Sequence, residues 1–466
     1  MIVGNAGFVV RAMAVLALSG CALGPHYERP EIAAPAAWRN GRAHAPEAWP
    51  AADWWRGFGS PQLDAFIAQA QRANDDIAAA VARVREADAQ ARIAGAALLP
   101  AVAATAGATR ERTLASNGSF STYSVFTPQI GAAYELDFWG KSRAALTAAN
   151  AALAASRYDR ATIELTVVTG VASTYFLALE LRDRLRIAQD NLASAEAILD
   201  GLRLERTAGT ANALDVAQQE TAVATLYAAI PPLEQQLRQS VDALAILLGK
   251  APESIDVTRG SLLDLSQPRV QPGLPSRLLA RRPDVAQAEA LLVAANANVA
   301  QARAAFFPSI ELTASTGFAS VALSKVLDPA SAIYSVGAGL TQPIFEGGAL
   351  EGQSAYAQAR YAELLADYHK AVISAFANVE DALVALQKTA DQLQRRQQAV
   401  ATARRAYEIA QAQLRAGTIN VLALLNTETA LFAAEDTLVQ IKFSHLQALI
   451  ALFNALGGGW RNTPEA

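Results

Sequence analysis

Thr207-Ala208-Gly209-Thr210 returns as Arg415-Ala416-Gly417-Thr418, 208 positions later. The same offset carries Leu98-Leu99-Pro100 onto Phe306-Phe307-Pro308, Glu220-Thr221 onto Glu428-Thr429, and Leu247-Leu248-Gly249 onto Ala455-Leu456-Gly457. One offset held across so many landmarks reads as a duplicated unit, and its period is far too long for a solenoid. Each Ala-Gly-Thr site ends a long stretch free of proline and of turn clusters, Lys141 to Thr207 and Ala349 to Arg415. As helix, each would run ~100 Å at 1.5 Å per residue, where a globular helix averages ~11–12 residues. Glycine just past the last turn supplies the C-cap. A second helical run then returns, Leu214 to Leu248 and Val421 to Leu456. Pro231-Pro232 predicts a kink or break in the first return. Each half is therefore a long antiparallel helical hairpin.

The other end of each long helix carries an alternation of period two. Phe126, Ile130, Ala132, Tyr134 and Leu136 share one face, interrupted by Pro128. In the second half Ile310, Leu312, Ala314, Thr316 and Phe318 alternate with Ser309, Glu311, Thr313, Ser315 and Gly317. Tyr334, Val336, Ala338 and Leu340 do the same against Ser335, Gly337, Gly339 and Thr341. Strands of ~10 residues, apolar on one face and small or polar on the other, suit a membrane barrel. They also suit a two-sided soluble sheet. Arg110 to Ser121 reads as a polar loop. Upstream, Ser60-Pro61 starts a helix that the spacing of Leu63, Phe66, Ile67 and Ala70 predicts to continue to about Ala97. Four strands per chain cannot close a transmembrane barrel, which needs ~8 or more. A trimer would supply twelve strands and twelve helical rods around one axis.

Composition agrees with long, closely packed helices: 52% of residues are hydrophobic, much of that Ala, and only 7% are aromatic. A net charge of −4 gives no reason to expect nucleic-acid binding. No other segment after the N-terminal apolar run has ~18 consecutive apolar residues, so a bilayer would have to be crossed by a closed β-barrel. The single cysteine, Cys21, follows Leu18-Ser19-Gly20 behind an apolar run preceded by Arg11. That is the layout of a secretory signal over residues 1–20. Leu-Ser-Gly-Cys also resembles a bacterial lipobox, in which the cysteine is acylated. Prolines break residues 22–59, where Trp38, Trp49, Trp54 and Trp55 are placed to staple an arm onto the folded body.

With these landmarks in order, the chain resembles the TolC-like outer-membrane efflux factors of the lipoprotein (OprM/NodT-like) group. The lipobox, Tyr134-Glu-Leu-Asp-Phe-Trp-Gly-Lys141, Leu279-Ala-Arg-Arg-Pro-Asp-Val285, Phe307-Pro-Ser-Ile310, Gln342-Pro-Ile-Phe345, Arg415-Ala-Gly-Thr418 and Leu456-Gly-Gly-Gly-Trp460 carry the likeness. The resemblance implies an α+β membrane protein: a duplicated unit of long helical hairpins plus β-hairpins, forming a trimeric twelve-stranded β-barrel on a twelve-helix α-barrel. The expected parts are a signal (1–20), a lipidated arm and equatorial segment (21–59), a first repeat (60–249, β-hairpin about 101–137), an equatorial linker (250–275), a second repeat (276–457, β-hairpin about 309–345) and a tail (458–466). The implied partners are two further copies, a periplasmic adaptor protein, an inner-membrane pump and outer-membrane lipid. The implied role is a passive efflux duct in the cell outer membrane with a periplasmic extension, without catalytic residues, cofactor or metal.

Such a duct needs an anchor, a wall and a gate. Cys21 is the expected anchor. The hairpin tips, with Gly209, Thr210, Gly417 and Thr418, are expected to meet the adaptor. The resemblance puts the periplasmic gate at Leu422, Leu425, Asn426 and Asp215. Aspartates that relatives carry beside Leu422 are absent here, and Ile419 stands where some relatives have Arg. Leu422 and Leu425 also read as coiled-coil seam residues, and Asp215 as a helix N-terminal acid. A duct for type I protein secretion and a pore-free periplasmic coiled-coil scaffold remain as alternatives. Enzyme readings gain little: His26, His44, His369 and His445 lack metal-ligand spacing, and there is no P-loop or nucleophile elbow.

Overall fold

The computed structural model describes residues 26–40, 49–114, 118–257, 259–270 and 273–462. Helices α1 (Pro61–Ala73) and α2 (Asp75–Ala96) lead into strands β1 (Ala101–Leu114) and β2 (Phe120–Leu136), followed by α3 (Lys141–Thr207) and α4 (Ala213–Leu247). After short 3-10 turns the order repeats as α5 (Pro275–Leu278), α6 (Pro283–Ala304), β3 (Ser309–Phe318), β4 (Ala332–Thr341), α7 (Ala349–Arg415) and α8 (Val421–Ala455). Helices α3 and α7 each have 67 residues, and α4 and α8 each have 35. Helices α6, α7 and α8 and strand β3 begin 208 positions after α2, α3, α4 and β1. The duplication is therefore one of structure as well as of sequence.

The chain groups into two units. Of the described residues, one unit gathers 26–31, 83–157 and 287–369; the other holds those within 32–82, 158–286 and 370–462. The first contains a four-stranded antiparallel sheet in the order β1-β2-β3-β4. Its register places the predicted faces together. Ile130 pairs with Thr316 and Thr316 with Tyr334, while Ala132 pairs with Ala314 and Ala314 with Val336, all on the apolar face. Gly131 pairs with Ser315, and Ser315 with Ser335, on the other, where the two serine hydroxyls lie 2.8 Å apart. The first hairpin is longer than the polar sequence suggests. Arg110 to Leu114 stay in β1 and pair with Ser124 to Phe120. Cross-strand contacts hold them there: Arg112 lies over the Phe120 ring at 4.7 Å, and Tyr123 donates to Glu111 at 3.2 Å.

The family-like motifs hold the base of this sheet. Asp137 accepts from the backbone N–H groups of Ser142 and Arg143 at 3.0 and 2.9 Å, which caps α3. Trp139 donates to the Pro308 carbonyl at 2.7 Å and packs on Phe307 with ring centres 4.9 Å apart. Gln342 donates to the Phe306 carbonyl at 3.1 Å. These contacts join the two repeats beneath the strands.

The second unit is a helical body with its core on α1, α3, α4 and α8. Phe58, Leu63, Val171, Phe176, Leu179 and Leu244 are fully buried there. Each such side chain contributes about 1.5–3 kcal/mol. Among the described residues α3 is the one helix long and apolar enough to pass for a membrane span, and half of that stretch is buried inside the protein. The tryptophans staple the arm as expected. Trp54 stacks on Phe453 at 4.5 Å, Trp38 donates to the Gly273 carbonyl at 2.6 Å, and Arg281 lies over Trp49 at 4.5 Å.

One helix differs from the sequence expectation, and a second narrows it. The run from Pro61 is broken at Asn74, whose backbone is extended. Asn74 Oδ1 accepts from the Ile77 N–H at 3.1 Å and restarts the chain as α2, while its Nδ2 donates to the Leu247 carbonyl at 2.9 Å. The second repeat builds the same joint with other residues: Arg282, 208 positions on, donates to the Ala455 carbonyl at 3.1 Å and grips Asp284. A Cβ at Gly249 would collide with the Ala73 carbonyl oxygen, and one at Gly457 with that of Arg281, which explains the duplicated Leu-Gly pair. Pro231 and Pro232, by contrast, do not break α4. Both are exposed, so the carbonyls they leave unpaired face solvent, and buried Leu233 holds the next turn.

Candidate functional site at the helical hairpin tips

Both long helices end in the same hydrogen-bonded turn. Gly209 and Gly417 take left-handed backbone, with φ of 78° and 70°. The Thr210 N–H donates to the Glu205 carbonyl at 2.9 Å and the Gly209 N–H to that of Arg206 at 3.1 Å. Thr418 donates to the Gln413 carbonyl at 3.0 Å and Gly417 to that of Leu414 at 2.9 Å. This is the Schellman arrangement, which needs a residue free to adopt positive φ. Each threonine hydroxyl donates to the same carbonyl as its own N–H, at 3.0 and 3.1 Å. Asn212 and Asn420 then cap the returning helices, accepting from the N–H groups of Asp215 at 2.9 Å and Ala423 at 3.1 Å. Gly209, Thr210, Gly417 and Thr418 are all exposed.

The two tips meet through a small apolar cluster, in which Val421 packs on Leu199, Leu202 and Val216. Around it the expected gate residues separate by helix face. Leu422 is 47% exposed and Asn426, one turn on, is also exposed. Asp215 is half-buried in the first turn of α4. Leu425 is half-buried and turns instead into a groove lined by α3, α4 and α8. Cys21 lies outside the described residues.

The sequence reading missed the polar groups that this unit buries. Glu180 and Asp436 both hold Arg184, at 3.2 and 2.6 Å. Burial pushes the Glu180 carboxyl above its ordinary range, opposed by the Arg184 charge. Asp183, likewise raised by burial, accepts from the Ser261 hydroxyl and the Leu262 N–H, both at 2.8 Å, and so fastens the segment between the repeats onto α3. His445, lowered by burial and by the nearby Lys442 charge, is bonded to Thr389 at 3.0 Å and Gln267 at 3.3 Å. Glu428 is 3% exposed, its Oε1 has no partner among the described residues, and burial pushes its carboxyl up to about 7. Among the described residues no group of three or more His, Cys, Asp or Glu side chains is placed to hold a metal.

Comparison with known proteins matches this architecture throughout. The family model described as outer membrane efflux protein matches residues 66–250 and again 274–458, the same 208-residue step. The pyoverdine export outer membrane protein OpmQ of Pseudomonas aeruginosa is 41% identical over 458 residues, covering 96% of each chain. The toluene efflux pump outer membrane protein TtgF of Pseudomonas putida is 34% identical over 461 residues, with the same coverage. Among solved structures, the Neisseria gonorrhoeae MtrE outer membrane channel superposes with a TM-score of 0.86 at 27% identity, covering 96% of this chain and 100% of that one. With both repeats matched at one register and the fold shared along nearly the whole chain, this protein belongs to the outer membrane efflux protein family, the TolC-like channels of the outer membrane.

Proposed function

We propose that three copies of this chain close into a single passive duct that exports drugs or other small toxic compounds, as the outer-membrane part of a tripartite pump. The observation that carries the reading is the four-stranded sheet, with one apolar face and both edges, β1 and β4, open. Open strand edges call for partners, and within lipid they must be satisfied by closure. Three copies joined edge to edge make a twelve-stranded barrel. The exposed tips at Gly209, Thr210, Gly417 and Thr418 would receive the periplasmic adaptor, which couples the duct to an inner-membrane pump. Cys21 would be the acylated anchor. OpmQ and TtgF are named for two different compounds, which supports placing substrate choice in the pump.

The gate is assigned to the exposed first turns of α8, where three copies of Leu422 would form an apolar ring with Asn426 behind it. Asp215 would flank that ring from α4, and Leu425 would support it from the groove side. Single-channel recording in planar bilayers tests this. Leu422→Ser opens the ring to water, and conductance rises above wild type. Unchanged conductance in that variant would remove Leu422 from the aperture.

A further inference from the structure

The groove between α3, α4 and α8, with a volume of about 670 Å³, is walled by Leu226, Leu233, Leu425 and Phe432. Into this apolar space the chain sets two carboxyls: Asp436, already held by Arg184, and Glu428, nearly fully buried and with Oε1 unpartnered among the described residues. The repeat supplies an internal comparison. Glu220 occupies the equivalent position in the first half, but it is exposed and pairs with Arg203 at 3.0 Å. The residue 208 positions after Arg203 is Gln411, which donates to Tyr407 and not to Glu428. The second copy has thus lost its cation while its acid has gone inside.

The other charges around the groove are already matched. Arg184 of α3 is held by Asp436 of α8 and by Glu180. The polar groups of the α4 wall are all neutral: Gln218, Thr221, Thr225 and Gln236. Tyr407 of α7 is a further titratable neighbour, raised by burial and by the Glu428 charge. The uncompensated charge is therefore negative. A hard metal ion is a poor match, because it asks for six or more oxygen ligands. A cation that brings its own apolar body suits the walls, and the Phe432 ring adds a face that attracts positive charge.

We propose that this groove is a binding site for monovalent organic cations with an apolar body, with the Glu428 carboxylate as counter-charge. It is a site in the helical wall, distinct from the aperture. Binding requires the ionised acid, whose protonation falls at about pH 7. Occupancy by a permanent cation therefore weakens as the medium acidifies.

Ethidium, a flat monocation whose charge does not change over the range used, is titrated into the full-length protein in detergent, with fluorescence anisotropy as readout. The expected result at pH 8 is one saturable site per chain, weakened about tenfold at pH 6 as Glu428 takes up its proton. Glu428→Gln, nearly isosteric, weakens binding at least tenfold at pH 8 and abolishes the pH dependence. Ala222→Trp places an indole in the groove while keeping Glu428 and removes the site. Glu220→Gln leaves binding at its wild-type value. Absence of saturable binding to wild type, as when a second copy fills the groove, overturns the proposal. So does undiminished binding in Glu428→Gln, or equal weakening in Glu220→Gln. The titration needs neither membrane nor pump, so its failure leaves the efflux reading standing.

Discussion

Glu428 shows how much a single buried group can weigh in this fold. Its carboxyl protonates near 4.5 when exposed in the unfolded chain and at about 7 in the folded one. The folded state therefore holds its proton to higher pH, and stability falls as pH rises from about 4.5 through 7. Above 7 the full penalty is present, about 3 kcal/mol from the size of the shift. Glu428→Gln should melt at nearly the wild-type temperature at pH 4.5 and progressively above it as pH approaches 8. A gap that stays constant with pH would mean that Glu428 is solvated in the assembled protein. This position was within reach of the sequence: the 208-residue alignment already sets Gln411 against Arg203. The carboxyl's burial was not, since Glu220 and Glu428 are followed by the same threonine and differ only in what surrounds them. Cys21 belongs to the same scale. Cys21→Ala should abolish labelling by radioactive palmitate, and label retained in the variant would reject the lipobox.

At the scale of elements the helices and strands were largely legible, because period and punctuation are local. The long helices end at Thr207 and Arg415, where the Ala-Gly-Thr signals place them. The break at Asn74 was not legible. It depends on the Leu247 carbonyl, which lies 173 residues away in sequence. Its counterpart Arg282 shares no chemistry with asparagine beyond the ability to donate to a helix C-terminus. The continuity of α4 through Pro231-Pro232 likewise depends on which face meets solvent. Strand faces are the stronger case, since the register confirms that Leu340 lies beside Ile310 and Phe318 beside Ala332. Phe318→Arg and Leu340→Arg should each cost about 2–4 kcal/mol if that face meets the middle of the bilayer, read as loss of assembled protein from outer membranes. Ser315→Arg and Thr341→Arg, on the opposite face, should assemble. Equal loss in both pairs would reject a lipid-facing apolar surface.

At the scale of the whole molecule, one chain alone is incomplete. Its sheet stops at four strands, and β1 and β4 each present a free edge. Its helices α3 and α7 are each 67 residues long, yet α7 keeps Tyr356 and Ile373 exposed at 72% and 62%. Lone exposed apolar residues need no explanation. In the proposed trimer, these exposed side chains and the two open sheet edges would be covered by neighbouring copies. The most direct test is electron cryo-microscopy of the full-length protein in lipid nanodiscs. The expected result is a threefold-symmetric particle in which each copy places its four strands within the lipid disc, with helices outside it. A monomer, another symmetry, or a disc seated on the helices would contradict it.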